Sequence, residues 1–246
     1  MIAITGASGQ LGRLVIEQLL SKVPASDIVA LVREPTKAAG LKETGVEVRQ
    51  ADYNRPETLA PALVGVDRLL LISSSEVGRR VVQHRAVIDA AKQTGVKLIA
   101  YTSLLHADSS PLPLAAEHKE TEAELRSSGI PHVVLRNGWY TENYLGFVPA
   151  ALEHGVMIGC AGDGLISAAS RRDYALAAAV VLTSEGQGGR VYELAGDESF
   201  TMAELAAEIA RQSGKPVAYQ DLPQTAHKAA LQQAGLPEAI ASVLSE

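Results

Sequence analysis

The 246-residue chain has a single cysteine, Cys160. That excludes a disulfide framework and a cysteine-rich metal centre, and leaves Cys160 as a small packing residue. Basic residues are outnumbered, 22 Lys+Arg against 28 Asp+Glu for a net charge of −6, which argues against nucleic-acid binding driven by charge. No apolar run approaches the roughly 20 residues of a membrane span. The amino terminus, MIAITGASG, lacks a basic n-region and enters a strand-like run at once, so no signal peptide is expected and the cytoplasm is the expected location. His84, His106, His132 and His154 lack metal-ligand spacing, and no metal site is expected. Repeats, low-complexity tracts and linkers are also missing. What remains is a chain that is 47% hydrophobic, enough for one large domain or one domain with a small lobe.

The first half alternates short apolar runs with amphipathic ones. Ile2 to Thr5, Ile28 to Arg33, Val46 to Gln50, Arg68 to Ile72, Leu98 to Thr102 and His132 to Arg136 are strand candidates. Most are apolar throughout, as strands buried on both faces are. Between the first two, Leu11, Leu14, Val15 and Leu19 form one apolar stripe, and Val82 to Ala91 forms another that Gly95 stops. Alternating β and α elements predict an α/β fold: a doubly wound, Rossmann-type parallel sheet over residues 1–137. From residue 138 to 246 the pattern loosens into a small α+β lobe that is not an independent domain. One helix start is clear there, with Thr201 as N-cap, Glu204 three residues on and Phe200 and Leu205 as a staple. Thr225 to Ser245 reads as helix broken at Gly235-Leu-Pro237.

Gly6, Gly9 and Gly12 stand between the first strand and the first helix, within the segment GASGQLG. Glycines there permit a tight turn and close backbone approach to a pyrophosphate. The helix N-terminus beyond, with the N–H groups around Ser8, Gln10 and Leu11, attracts its charge. The second strand ends at Arg33, where an NAD site would place Asp or Glu. A guanidinium there suits a 2′-phosphate, so NADPH is the expected cofactor. Asp52 and Tyr53, ending the third strand, either contact the adenine or open the next turn.

Dinucleotides lie over the carboxyl ends of such strands. Strand 4 ends in Ser73, Ser74 and Ser75, strand 5 in Thr102 and Ser103, and strand 6 in Asn137, followed by Trp139 and Tyr140. These are expected to line the ribose, nicotinamide and substrate positions. None of the seven tyrosines is followed four positions on by lysine, so the Tyr-x-x-x-Lys acid/base pair usual with this glycine spacing is absent. The helix after strand 5 instead carries His118 on its apolar stripe, either a proton donor or a hydrogen-bonded structural histidine. Without the pair, alcohol–ketone chemistry loses its proton source. A quinone does not need one, because hydride transfer gives a stabilised anion that water protonates.

The segments MIAITGASGQLG, VALVREPTKA, VRQADYN, LLLISSSEVG and LRNGWYTENYL resemble the NADPH-dependent quinone reductases of the NmrA-like branch of the short-chain dehydrogenase/reductase superfamily. Triphenylmethane dye reductases are similar relatives. The resemblance covers nearly the whole chain and implies flavin-free quinone reduction with NADPH held along Gly6–Gly12, Arg33 and the strand ends. In that reading Asn137 and Tyr140, with His118 or water for protons, work at the reacting centre, and Trp139, Tyr140 and Tyr144 contact the acceptor. Relatives of this branch usually continue some tens of residues past Glu246. The resemblance leaves two alternatives open, a reductase for dyes or other electrophiles and a redox-sensing regulator that binds NADP(H) without chemistry. A homo-oligomer is compatible with all three.

Overall fold

Three leucines in a row, Leu69, Leu70 and Leu71, have no exposed surface. A strand that is covered on both faces belongs at the centre of a parallel sheet with helices on either side. The computed structural model describes residues 1–245 and has that arrangement. In chain order the elements are β1 (Ile2–Ile4), α1 (Gln10–Leu20), β2 (Ile28–Val32), α2 (Ala39–Lys42), β3 (Glu47–Gln50), α3 (Leu59–Ala62), β4 (Arg68–Leu71), α4 (Arg80–Thr94), β5 (Leu98–Leu104), α5 (Pro113–Ser128) and β6 (His132–Asn137). There follow α6 (Thr141–Leu145), α7 (Val148–His154), β7 (Val156–Gly159), α8 (Arg171–Thr183), β8 (Val191–Leu194), α9 (Met202–Ser213), β9 (Ala218–Asp221), α10 (Gln224–Gln233) and α11 (Glu238–Leu244).

The chain divides into two units. The first comprises Met1–Asn137 and Arg171–Leu194. Its seven strands run parallel in the order β3-β2-β1-β4-β5-β6-β8. The order reverses beside β1, which opens a crevice at the carboxyl ends of β1 and β4. The stripe on α1 buries Leu11, Val15, Ile16 and Leu19. On one face of the sheet, Leu59, Leu63, Leu69, Leu71, Val87, Ile99, Tyr101 and Leu125 share one core. Truncating one of these leucines to alanine costs about 2–5 kcal/mol.

The second unit comprises Gly138–Ser170 and Ala195–Glu246. It has its own core of Ala151, Met157, Met202, Ala206 and Val217, beside a two-stranded parallel pair, β7-β9. Thr201 caps α9 reciprocally: Glu204 N–H donates to Thr201 Oγ1 at 3.1 Å and Thr201 N–H donates to the Glu204 carboxylate at 2.7 Å. Cys160 is half-buried, with Sγ 3.2 Å from His227 Nδ1.

The single break expected after Asn137 needs correction. Arg171–Leu194 returns to the first unit, where β8 adds a seventh strand beside β6. The reason lies in its residues. At the edge of the sheet, β8 alternates exposed and half-buried positions and lacks the continuous apolar character of a central strand. No helix among the described residues is long and apolar enough to cross a membrane.

Candidate cofactor site

The turn from β1 into α1 is built from backbone. Gly6 has φ +57°, and Gly9 N–H closes the turn onto Gly6 O at 2.8 Å. Gly12 packs the helix against this turn so tightly that a Cβ there would stand 2.4 Å from Gly6 O and 2.8 Å from Ala7 Cα. The N-cap is Gly9, which offers no side-chain acceptor, and the first turn of α1 carries no acid. Its leading N–H groups and positive dipole end are therefore available to an anion.

Three further strand exits complete a groove of about 260 Å³ with Gly6, Ser8 and Gly9. From β2 comes Arg33, whose side chain is 71% exposed and lies 3.7 Å from Glu76. Beyond β3, Asp52 and Tyr53 reach the same groove. Asp52 also accepts Asn54 N–H at 2.9 Å, so it opens the next turn as well as lining the wall. The fourth contribution is the run Ser73, Ser74, Ser75 and Glu76 after β4.

That last run leaves the sheet ladder, and its peptide groups find partners in side chains. Ile72 N–H donates to Thr5 Oγ1 at 2.9 Å, Ser73 N–H to Thr102 Oγ1 at 2.9 Å and Ser74 N–H to His84 Nε2 at 2.9 Å. Tyr53 Oη donates to Ile72 O at 2.9 Å and Arg80 Nε to Ser74 O at 2.7 Å. Burial pushes the Tyr53 phenol up, so it remains a neutral donor. Thr102 is 3% exposed and acts as a support behind the groove wall.

Other expected site residues lie apart from this groove. Ser103 Oγ donates to Glu122 at 2.7 Å, and Arg136 grips the same carboxylate through Nε and Nη2 at 3.0 and 2.8 Å. Donating these hydrogen bonds to Glu122 holds the Arg136 guanidinium well above its usual range. Asn137 ends β6 almost fully buried, and its Oδ1 has no hydrogen-bond partner among the described residues. His118 is 4% exposed, with Nδ1 2.7 Å from Tyr101 Oη. Burial, with the Arg80 charge, depresses its pKa to about 3. The ring is neutral at ordinary pH and is not among the groove residues. In the second unit, Trp139 and Tyr140 precede α6, Tyr140 in a bridge with Ala169. Tyr144 packs edge-on to Phe200 at 5.9 Å, and burial pushes its phenol up to about 12.

A larger cavity of about 630 Å³ opens at the amino ends of the strands. Its charges are already paired: the Met1 amino group and Lys97 each meet Asp67 at 2.7 Å, and Arg68 meets Glu185. The unpaired helix N-terminus is at the other edge of the sheet, where ligands of open α/β sheets bind.

Residues 1–246 match the sequence profile of the NmrA-like family. The chain belongs to that family. It is 61% identical to Quinone oxidoreductase 2 of Escherichia coli (strain K12) over 246 residues, covering all of this chain and 86% of the relative. A crystal structure of an NADPH-dependent quinone oxidoreductase from Escherichia coli, complexed with NADPH, superposes with a TM-score of 0.97 at 61% identity, covering 100% of this chain and 87% of that one. A triphenylmethane reductase from Citrobacter sp., complexed with NADP(H), gives 0.95 at 44% identity, covering 100% and 87%.

In and behind the groove wall are residues that sequence patterns did not single out: Glu76 lines it, and Thr5, Arg80, His84 and Glu117 support it from behind. Glu76 follows the serine run directly and was within reach of the strand-end argument. Thr5, Arg80, His84 and Glu117 gave no local signal, because their partners lie elsewhere in the chain.

Proposed function

We propose that this NmrA-like protein is an NADPH-dependent quinone oxidoreductase that works without flavin. The observation that carries the proposal is whole-chain identity of 61% to a quinone oxidoreductase, in a chain that keeps the glycine turn and Arg33. The groove suits the cofactor on its own evidence. Gly12 leaves no space for a side chain beneath a pyrophosphate; outside the groove, at the end of β6, Asn137 Oδ1 is a buried acceptor in want of a donor.

NADPH, when bound, supplies a hydride to the acceptor. The chain's own residues hold and orient. Backbone N–H groups of the glycine turn and of α1 bind the pyrophosphate. Arg33 leaves Glu76 to pair with the 2′-phosphate, and Asp52 and Tyr53 flank the adenine. Ser73, Ser74 and Ser75 face the riboses, and Asn137 accepts a hydrogen bond from the nicotinamide half. Trp139, Tyr140 and Tyr144 are the aromatic residues assigned to the acceptor in this reading. Hydride addition turns the quinone into a hydroquinone monoanion, and one proton from water completes the product. His118, buried against Tyr101, is not an imidazolium at neutral pH, and water is the proton source in this reading.

The test is NADPH oxidation by purified protein with a simple benzoquinone, run beside NADH and beside a triphenylmethane dye. Turnover with NADPH and quinone, and little with NADH, is the expected result. Tight NADPH binding without turnover on either acceptor would replace the reductase with a sensor. Turnover on the dye alone would move the acceptor class.

A further inference from the structure

Ser74 is 8% exposed, and both of its peptide groups are held by buried side chains from α4. His84, fully buried, accepts its N–H at 2.9 Å, and Arg80, 5% exposed, donates to its carbonyl at 2.7 Å. These two are braced from α5. Glu117 takes Arg80 Nη1 through Oε2 and Gly78 N–H through Oε1, both at 2.9 Å. His84 Nδ1 is 3.0 Å from Thr121 Oγ1, which in turn donates to Glu117 O at 2.9 Å. The segment from Ser73 to Gly78 is thus hung from two helices by side chains that do not line the groove.

We infer that His84 is a positioning residue for cofactor binding, locked in the Nδ1–H tautomer so that Nε2 caps the Ser74 peptide and fixes the serine run against the nucleotide. The tautomer follows from the donors. Ser74 N–H can only give a hydrogen bond, so Nε2 must be bare, and a neutral ring then carries its proton on Nδ1 toward Thr121. Burial beside Arg80 keeps the ring neutral. Without the cap, a buried N–H is left with no acceptor, and the loop must shift to find one. The role rests on the reading of the groove as the NADPH site.

Two substitutions separate capping from packing. His84→Gln puts an amide oxygen near the place of Nε2 and keeps the cap. His84→Asn ends at the position of Nδ1, reaching Thr121 but not Ser74. NADPH affinity, followed by the cofactor's fluorescence on the purified protein, is expected to stay within about threefold of wild type for His84→Gln and to weaken about tenfold for His84→Asn, the scale of one unsatisfied buried donor. Melting temperatures of the two variants are measured alongside. Equal affinities for the two variants, or losses that simply track melting temperature, would overturn the proposal. So would heteronuclear NMR of the nitrogen-labelled wild type showing His84 protonated on Nε2, a readout that needs no cofactor. If the wild type does not bind NADPH, the groove reading fails instead, and the tautomer is still decided by NMR.

Discussion

Between β1 and α1 the groove wall is bare backbone, folded by three glycines within seven residues, Gly6 to Gly12. At the exit of β4 the wall is a serine run whose peptide groups are suspended from Thr5 just after β1, Thr102 on β5, and His84 and Arg80 on α4. The first region obtains close approach by omitting side chains. The second obtains rigidity by burying polar side chains whose partners are all satisfied, a network in which each lost member leaves an orphan. The two differ in how damage spreads: steric in the glycine turn, through hydrogen bonds at β4.

Breaking the glycine turn has the largest expected effect. Gly12→Ala places a Cβ at 2.4 Å from Gly6 O, a backbone atom that cannot swing aside. The turn must open, at about 1–3 kcal/mol of stability, and NADPH affinity measured by calorimetry is expected to fall at least about a hundredfold, ~2.7 kcal/mol. An alanine variant that binds normally would mean the turn does not carry the pyrophosphate. Next comes Arg33→Ala. Loss of a charge-assisted pair weakens NADPH by about thirtyfold and leaves NADH nearly unchanged. Equal losses for the two cofactors would remove Arg33 from the 2′-phosphate.

The contrast also explains what was legible in the sequence. The glycine turn is local: strand, glycines and helix follow one another, so spacing alone places the wall. Arg33 and Ser73 to Ser75 were legible because strand ends line such grooves. The β4 supports were not. Ser74 and His84 are 10 residues apart, Ser73 and Thr102 are 29, and Ile72 and Thr5 are 67. Thr102 was read as a contact because it ends a strand, yet its hydroxyl points to a neighbouring peptide. Edge strand β8 was assigned to the wrong unit for a related reason, since its half-exposed pattern lacks the signature of a buried strand.

At β4 the expected effects are smaller. Thr102→Val keeps the shape but removes the acceptor for Ser73 N–H. A cost of about 1–3 kcal/mol in urea unfolding is expected, with NADPH KM raised several-fold and kcat little changed. A change in kcat alone would place Thr102 at the reacting atoms. Acid stability probes the same layer. His84 and His118 both have their pKa depressed from 6.5 to about 3, by burial and then by the Arg80 charge, His84 also by His118. Below pH 6.5 the unfolded chain protonates both rings and the folded chain does not, so the unfolded state binds more protons. Stability is whole above that pH and declines toward pH 3, by up to about 1.4 kcal/mol per pH unit for each ring. Urea midpoints at pH 7 and pH 5 should therefore differ more in wild type than in His118→Gln, and equal differences would show that His118 titrates normally.

The smallest expected effect belongs to His118 in catalysis. A general acid at the reacting centre contributes about a hundredfold or more, so its removal is conspicuous. His118 is 4% exposed, hydrogen-bonded to Tyr101 and uncharged at neutral pH. Burial also pushes the Tyr101 phenol up, so the two groups share one neutral hydrogen bond. His118→Gln is expected to change kcat for quinone reduction by less than about threefold, far below the general-acid range. A drop near a hundredfold, with melting temperature and NADPH KM unchanged, would restore His118 as the proton donor. It would also mean that the buried polar layer on α5, and not only the groove at the strand ends, takes part in the chemistry.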